Sequence, residues 1–214
     1  MAAPFFRLGL LALLFPAYAM AAALVVTVTD KAGQPLRDAV VYAETDAPSS
    51  ALKPKLVQIE QRDRQFIPKV TVVQSGTSIA FPNNDTVRHH VYSFSPAKTF
   101  EVRLYTGVPK NPERFDKAGT VTLGCNIHDQ MIAFVQVVDT PHFAKTDAKG
   151  RATLDLPAGK YELKGWHYNM AQEQAHARQA VTVAAGDATA SFKLNVQAGA
   201  FDNDGQYQPK QYKY

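Results

Sequence analysis

Apolar and polar residues alternate along most of this chain, β-branched runs recur at short intervals, and no segment sustains a helical period. Leu24-Val25-Val26-Thr27-Val28-Thr29 predicts a strand, closed by the turn Asp30-Lys31-Ala32-Gly33-Gln34-Pro35, and residues 39–43 predict the next. Residues 46–54, with Pro48, Ser49, Ser50 and Pro54, read as a linker. A second set begins near Leu56. Residues 70–73 and 77–81 flank a turn at Gly76, and strands over 88–94, 100–105, 120–123 and 132–138 follow, each bounded by Gly, Pro or Asn. A third section places strands at 151–156, 160–166 and near Val181 and Phe192, with a short helical turn over 172–178. Short strands at this spacing predict an all-β sandwich architecture, not βαβ units. From Gly199 on, the chain lacks core-forming residues and reads as a polar tail.

Residues 1–21 read as an export leader: Arg7 is the positive start, residues 8–15 are a short apolar core, and Ala17-Tyr18-Ala19 and Ala19-Met20-Ala21 are small-x-small cleavage sites. The apolar stretch is too short to predict a membrane span. The expectation is a soluble, periplasmic protein with no span after cleavage, an uncleaved anchor being the alternative. The net charge of +4 is spread over well-mixed residues apart from Lys53, Lys55, Arg62, Arg64 and Lys69. That group reads as a solvated face or a docking patch for an acidic partner. No basic stripe interleaved with aromatics appears, so no nucleic-acid partner is expected.

Export sharpens the meaning of the single cysteine, because one thiol makes no internal disulfide. It opens the run Cys125-Asn126-Ile127-His128-Asp129-Gln130-Met131, and the pair His89-His90 lies upstream. A thiolate, two imidazoles and a thioether form the donor set of a trigonal His₂Cys copper site with a weak axial Met. With six His and four Met in 214 residues, this C-x-x-H-x-x-M spacing arises by accident about once in two thousand times, or about once in two hundred when several loop lengths are allowed. The plain alternative makes Cys125 a small buried hydrophobe and Met131 a core filler. A Cys125-His128 nucleophile pair is disfavoured, since hydrolytic cysteines draw their base from distant sequence and no oxyanion-hole signature is present. The chain is therefore expected not to be an enzyme. His142, His167 and His176 fall outside the pattern.

The run Phe81-Pro82-Asn83-Asn84-Asp85-Thr86-Val87-Arg88-His89 resembles the strand and loop bearing the first histidine ligand of cupredoxins such as plastocyanin and amicyanin. There an Asn precedes that ligand by five positions, as Asn84 precedes His89, so the resemblance implies His89 and keeps His90 as the alternative. Residues 115–125 resemble the strand entering the cysteine, the loop spacing matches amicyanin, and residues 135–138 resemble the closing strand. The likeness covers about residues 66–139. It implies one type 1 copper, cycling between Cu(I) and Cu(II), held by His89, Cys125, His128 and Met131. Arg88, His90 and Gly124 depart from the family pattern.

The flanks carry a second resemblance. Residues 30–41, and residues 146–154 with 156–163, look like the two halves of a carboxypeptidase-regulatory-like, immunoglobulin-like sandwich. Together these imply a leader at 1–21, a first sandwich part at 22–55, a cupredoxin-like Greek-key unit at 56–139, a second sandwich part at 140–198 and a tail at 199–214. The layout is similar to exported proteins labelled methylamine utilization proteins. A one-electron carrier is the expected function, with a copper chaperone or scavenger as the alternative. A c-type cytochrome or an amine dehydrogenase is the partner expected by analogy.

Overall fold

The computed structural model describes residues 22–46, 55–170, 176–184 and 186–197. The leader, most of the linker, the larger part of the expected helical turn and the polar tail lie outside the described residues. Within them every regular element is a strand. In chain order these are β1 (Ala22–Asp30), β2 (Val40–Glu44), β3 (Leu56–Gln58), β4 (Glu60–Arg62), β5 (Gln65–Ile67), β6 (Val70–Gln74), β7 (Thr77–Ala80), β8 (His89–Ser95) and β9 (Lys98–Tyr105). They continue as β10 (Glu113–Phe115), β11 (Gly119–Gly124), β12 (Ile132–Val138), β13 (Phe143–Lys145), β14 (Arg151–Leu156), β15 (Gly159–Trp166), β16 (Ala177–Val183) and β17 (Ala188–Leu194). The all-β expectation holds. The four strands that the pattern did not separate, β4, β5, β10 and β13, are each three residues long, too short for alternation to register.

Two layered bodies result. In one, the sheet β14-β1-β17 packs on β13-β2-β15-β16. β1 shows strict alternation, with Ala22, Leu24, Val26 and Val28 turned inward against Ala152, Leu154 and Leu156 of β14 and Phe192 and Leu194 of β17. Gly150, at φ 69°, closes the turn before β14; a Cβ there would stand 2.4 Å from the Val28 carbonyl oxygen. Only glycine tolerates both that backbone and that approach. In the other body, β10-β7-β3 faces the five-stranded sheet β6-β12-β11-β8-β9, with the hairpin β4-β5 beside them. Ile79, Phe81, Val91, Phe115, Val121, Leu123 and Val135 fill the space between.

A third apolar cluster joins the bodies. β2 and β12 are buried on both faces. Val41 and Ala43 enter the first core and Val135 and Val137 the second. Val40 and Tyr42, with Phe134 and Val138, meet Val70 and Trp166 in the junction. Phe134 lies edge-on to Trp166 at 6.1 Å and stacks on Tyr168 at 5.3 Å. His167 is 4% exposed. Its Nε2 donates to the Arg37 carbonyl at 3.2 Å and its Nδ1 accepts the Asn169 N–H at 3.2 Å, so only the neutral ring satisfies both contacts.

Two outcomes follow. Phe134→Ala should cost about 3–5 kcal/mol, read by denaturant unfolding, and red-shift the emission of Trp166, the single tryptophan; an unchanged emission would deny the packing. Burial holds His167 down to about 4, whereas the unfolded chain takes its proton near the ordinary value of 6.5. The stability this group contributes is complete above about pH 6.5 and is lost as pH falls toward about 4. The loss is on the order of 3 kcal/mol, and His167→Gln should remove it from a pH series of unfolding midpoints.

Candidate metal centre

Strand pairing decides which side chains meet. β8 and β11 run antiparallel, with Gly124 opposite Tyr92. The residue leaving β11, Cys125, is thereby set near the start of β8, where His89 lies. β8 also pairs with β9, His89 opposite Tyr105, and the ladder is irregular between His89 and Val91. Such an irregularity re-aims side chains at a strand's end. His89 is fully buried and His90 is 6% exposed.

His89, Cys125 and His128 converge, their donor atoms all within 4.8 Å of one another. Cys125 Sγ lies 3.9 Å from His89 Nδ1, and the rings of His89 and His128 stand 5.1 Å apart at 61°. Ligands bonded at about 2.0–2.3 Å to one ion in a trigonal plane stand about 3.7 Å apart, so the donor spacing fits a shared metal. A second observation agrees. His128 Nδ1 is buried and has no hydrogen-bond partner, which is costly for a polar atom unless something binds it. Burial, then the neighbouring His89 and Arg64 side chains, holds the His128 ring below its ordinary value, favouring the neutral, lone-pair form that ligates.

Met131 is 1% exposed and lies in the same cluster as Cys125. The loop between them is tight, with the Met131 N–H bonded to the His128 carbonyl at 2.9 Å. His90 stands apart from the group: its Nε2 is 3.1 Å from Glu101 Oε1, a close contact lacking hydrogen-bond alignment, and its ring lies 5.6 Å from Tyr92. His142 faces the Asp155 carbonyl, and His176 lies edge-on to Tyr42.

Several details differ from the sequence reading. The side chain that knits the ligand strand is that of Asn83, a residue to which the sequence reading gave no role. Asn83 is 3% exposed and its Nδ2 donates to the Val87 and Tyr105 carbonyls at 3.0 and 2.8 Å. Asn84 instead bonds Glu60 at the exposed surface. Of the apolar residues near the donor run, Phe81 packs in the same core as Cys125, Ile132 and Phe134 belong to the junction, and Ile127 is 46% exposed. Sequence reasoning also missed Asp85. Its Oδ2 contacts His89 Nε2 at 2.8 Å, and this contact, with the Arg64 and Thr86 N–H groups, holds the carboxyl below the usual range. Acidic residues are routine in turns, so the sequence carried no distinguishing signal.

Gly124 has a structural reason. A Cβ there would stand 2.8 Å from Tyr92 Cζ and 2.9 Å from its hydroxyl. The tyrosine ring of β8 occupies the place a side chain beside the cysteine would need.

No family model and no curated protein matches the chain. Solved structures do. It is similar to a purple cupredoxin from Nitrosopumilus maritimus (19% identity over 38% of this chain and 98% of that one, TM-score 0.34). A pseudoazurin from Hyphomicrobium denitrificans is similar at 23% identity over 39% and 75%, with TM-score 0.34. A copper-containing nitrite reductase from Thermus scotoductus SA-01 is similar at 23% identity over 53% of this chain and 28% of that one, with TM-score 0.37. These overlaps are partial, and the chemistry of the site rests on its own residues. The reductase corrects one expectation: since an enzyme stands among the similar structures, the reading of this chain as not an enzyme is withdrawn.

Gly124→Ala should cost about 1–3 kcal/mol by displacing the Tyr92 ring. Adding Tyr92→Ala should return part of that loss in a double-mutant cycle; strictly additive losses would show the two residues do not compete for space.

Proposed function

We propose that this chain is an exported, periplasmic type 1 copper protein that carries one electron at a time. The observation that carries the reading is the convergence of one imidazole from the start of β8 with a thiol and a second imidazole from the β11–β12 loop on a single point, with His128 Nδ1 buried and unpartnered there. Copper bound at that point supplies a Cu(I)/Cu(II) couple. A soft thiolate with imidazoles suits copper, and Met131 supplies the weak fourth donor.

The chain's own part is to hold and shield. His89 sits within a strand and Cys125 directly after another. His128 and Met131 are tied by a backbone hydrogen bond. Donors fixed to sheet ends move little when the charge between them changes, which keeps exchange fast. Cys125 is 3% exposed and belongs to the buried core that includes Ile59, Phe66, Phe81 and Val91, which keeps water from its sulfur. His128 is the one of the three that reaches the surface, beside the exposed Ile127, so partner contact is assigned to that edge. The partner is a second one-electron protein, with a c-type cytochrome or an amine dehydrogenase as candidates by resemblance. In the described residues no helix is long and apolar enough to cross a membrane.

The test is Cu(II) titration of the purified chain, followed by visible and electron paramagnetic resonance spectroscopy and by voltammetry. One equivalent should bind with intense thiolate-to-copper absorption and a reversible one-electron wave. A colourless complex that takes Cu(I) alone would replace the carrier with a chaperone. Cys125→Ser should bleach the band; surviving colour would sink the assignment. Met131→Leu should retain copper and raise the potential. His89→Ala should damage the centre more than His90→Ala, and the reverse order would transfer the ligand role to His90.

A further inference from the structure

Asp85 lies in the loop between β7 and β8, four residues before His89, with a side chain 13% exposed. Its Oδ2 contacts His89 Nε2 at 2.8 Å and accepts the Arg64 N–H at 2.8 Å. Its Oδ1 accepts the Thr86 N–H at 3.2 Å, and its own N–H donates to Asn83 Oδ1 at 3.0 Å. Asn83 is itself locked to Val87 and Tyr105. Three contacts hold the carboxylate and a fourth holds its backbone, so it has little freedom to swing away from the imidazole.

An ionised carboxylate only accepts hydrogen bonds, so the contact to His89 requires the ring proton on Nε2. A neutral imidazole with its proton there presents a lone pair at Nδ1. Nδ1 is the atom facing Cys125 Sγ at 3.9 Å. Asp85 touches the opposite side of the ring and stands outside the converging donor group, so it acts on that group through His89 alone. Two consequences separate: the contact selects the tautomer and orientation, and the negative charge makes the ring a stronger electron donor.

We propose that Asp85 is the positioning residue of this centre, holding His89 with Nδ1 aimed at Cys125 and biasing a bound copper ion toward Cu(II) by its charge. This rests on the copper reading above. Its rival is a residue that merely closes the loop through the Arg64 and Thr86 amides, and that role would not set a potential.

Wild-type full-length chain, Asp85→Asn and Asp85→Ala are loaded with Cu(II) and compared by visible spectroscopy and voltammetry. Asparagine keeps an oxygen for the Nε2 proton and removes the charge. Asp85→Asn should keep the coloured band while Cu(II) binding weakens about tenfold relative to Cu(I), a rise of about 59 mV for a one-electron couple. Asp85→Ala should raise the potential and also alter the paramagnetic spectrum, as the ring is released. A coloured Asp85→Asn protein with the wild-type potential overturns the proposal. Should the variants not fold, nitrogen-15 histidine spectra of the metal-free wild-type chain in mildly alkaline buffer decide it. His89 protonated on Nε2 supports the proposal, and His89 protonated on Nδ1 overturns it. If wild-type protein takes up no copper, the copper reading fails by itself, and the tautomer measurement still reports on Asp85.

Discussion

The antiparallel pairing of β8 with β11 is the constraint on which the site depends. One strand begins with His89 and the other ends just before Cys125, and Gly124 lies opposite Tyr92. A donor from residue 89 and one from residue 125 are thus neighbours through a ladder, without a long loop between them. Backbone hydrogen bonds in a five-stranded sheet resist relative sliding, because a one-residue slip would turn every apolar side chain to the wrong face. The ligand spacing is set by the same forces that set the core.

That sheet is in turn braced from behind. β12 pairs with β11 on one side and β6 on the other, and its outer face meets β2 and β15 through Phe134, Val138, Val40, Tyr42 and Trp166. Both faces of β12 are therefore dry, which explains its nearly unbroken apolar run. A site on such a strand system inherits its rigidity from two cores at once. The neighbouring sandwich has a physical role here whatever else it does: it covers the outer face of β12 and of the adjacent β6.

Polar contacts complete what packing begins. Asn83 and Asp85 together fasten the loop before His89 to Val87, Tyr105, Arg64 and Thr86. Tyr105, whose hydroxyl donates to the Phe81 carbonyl, is pushed up to about 12, chiefly by burial. It acts as a neutral anchor beside the thiol. Within the converging group, His128, whose Nδ1 has no hydrogen-bond partner, is the residue nearest the surface.

Alternation and turn residues were enough to determine that this chain is all-β and where its longer strands run, because a period of two is a local property. The run from Cys125 to Met131 stood out in the sequence for the same reason, since its spacing lies within one loop. Strands of three residues were not, for they hold too few positions to show a period. Which of His89 and His90 faces the sulfur was decided by the irregular β8–β9 ladder, a contact between strands with no trace in composition. The roles of Asn83, Asp85 and Tyr92 were likewise tertiary: each depends on a partner far along the chain, Tyr105, Arg64 or Gly124, brought within reach only when the sheets close.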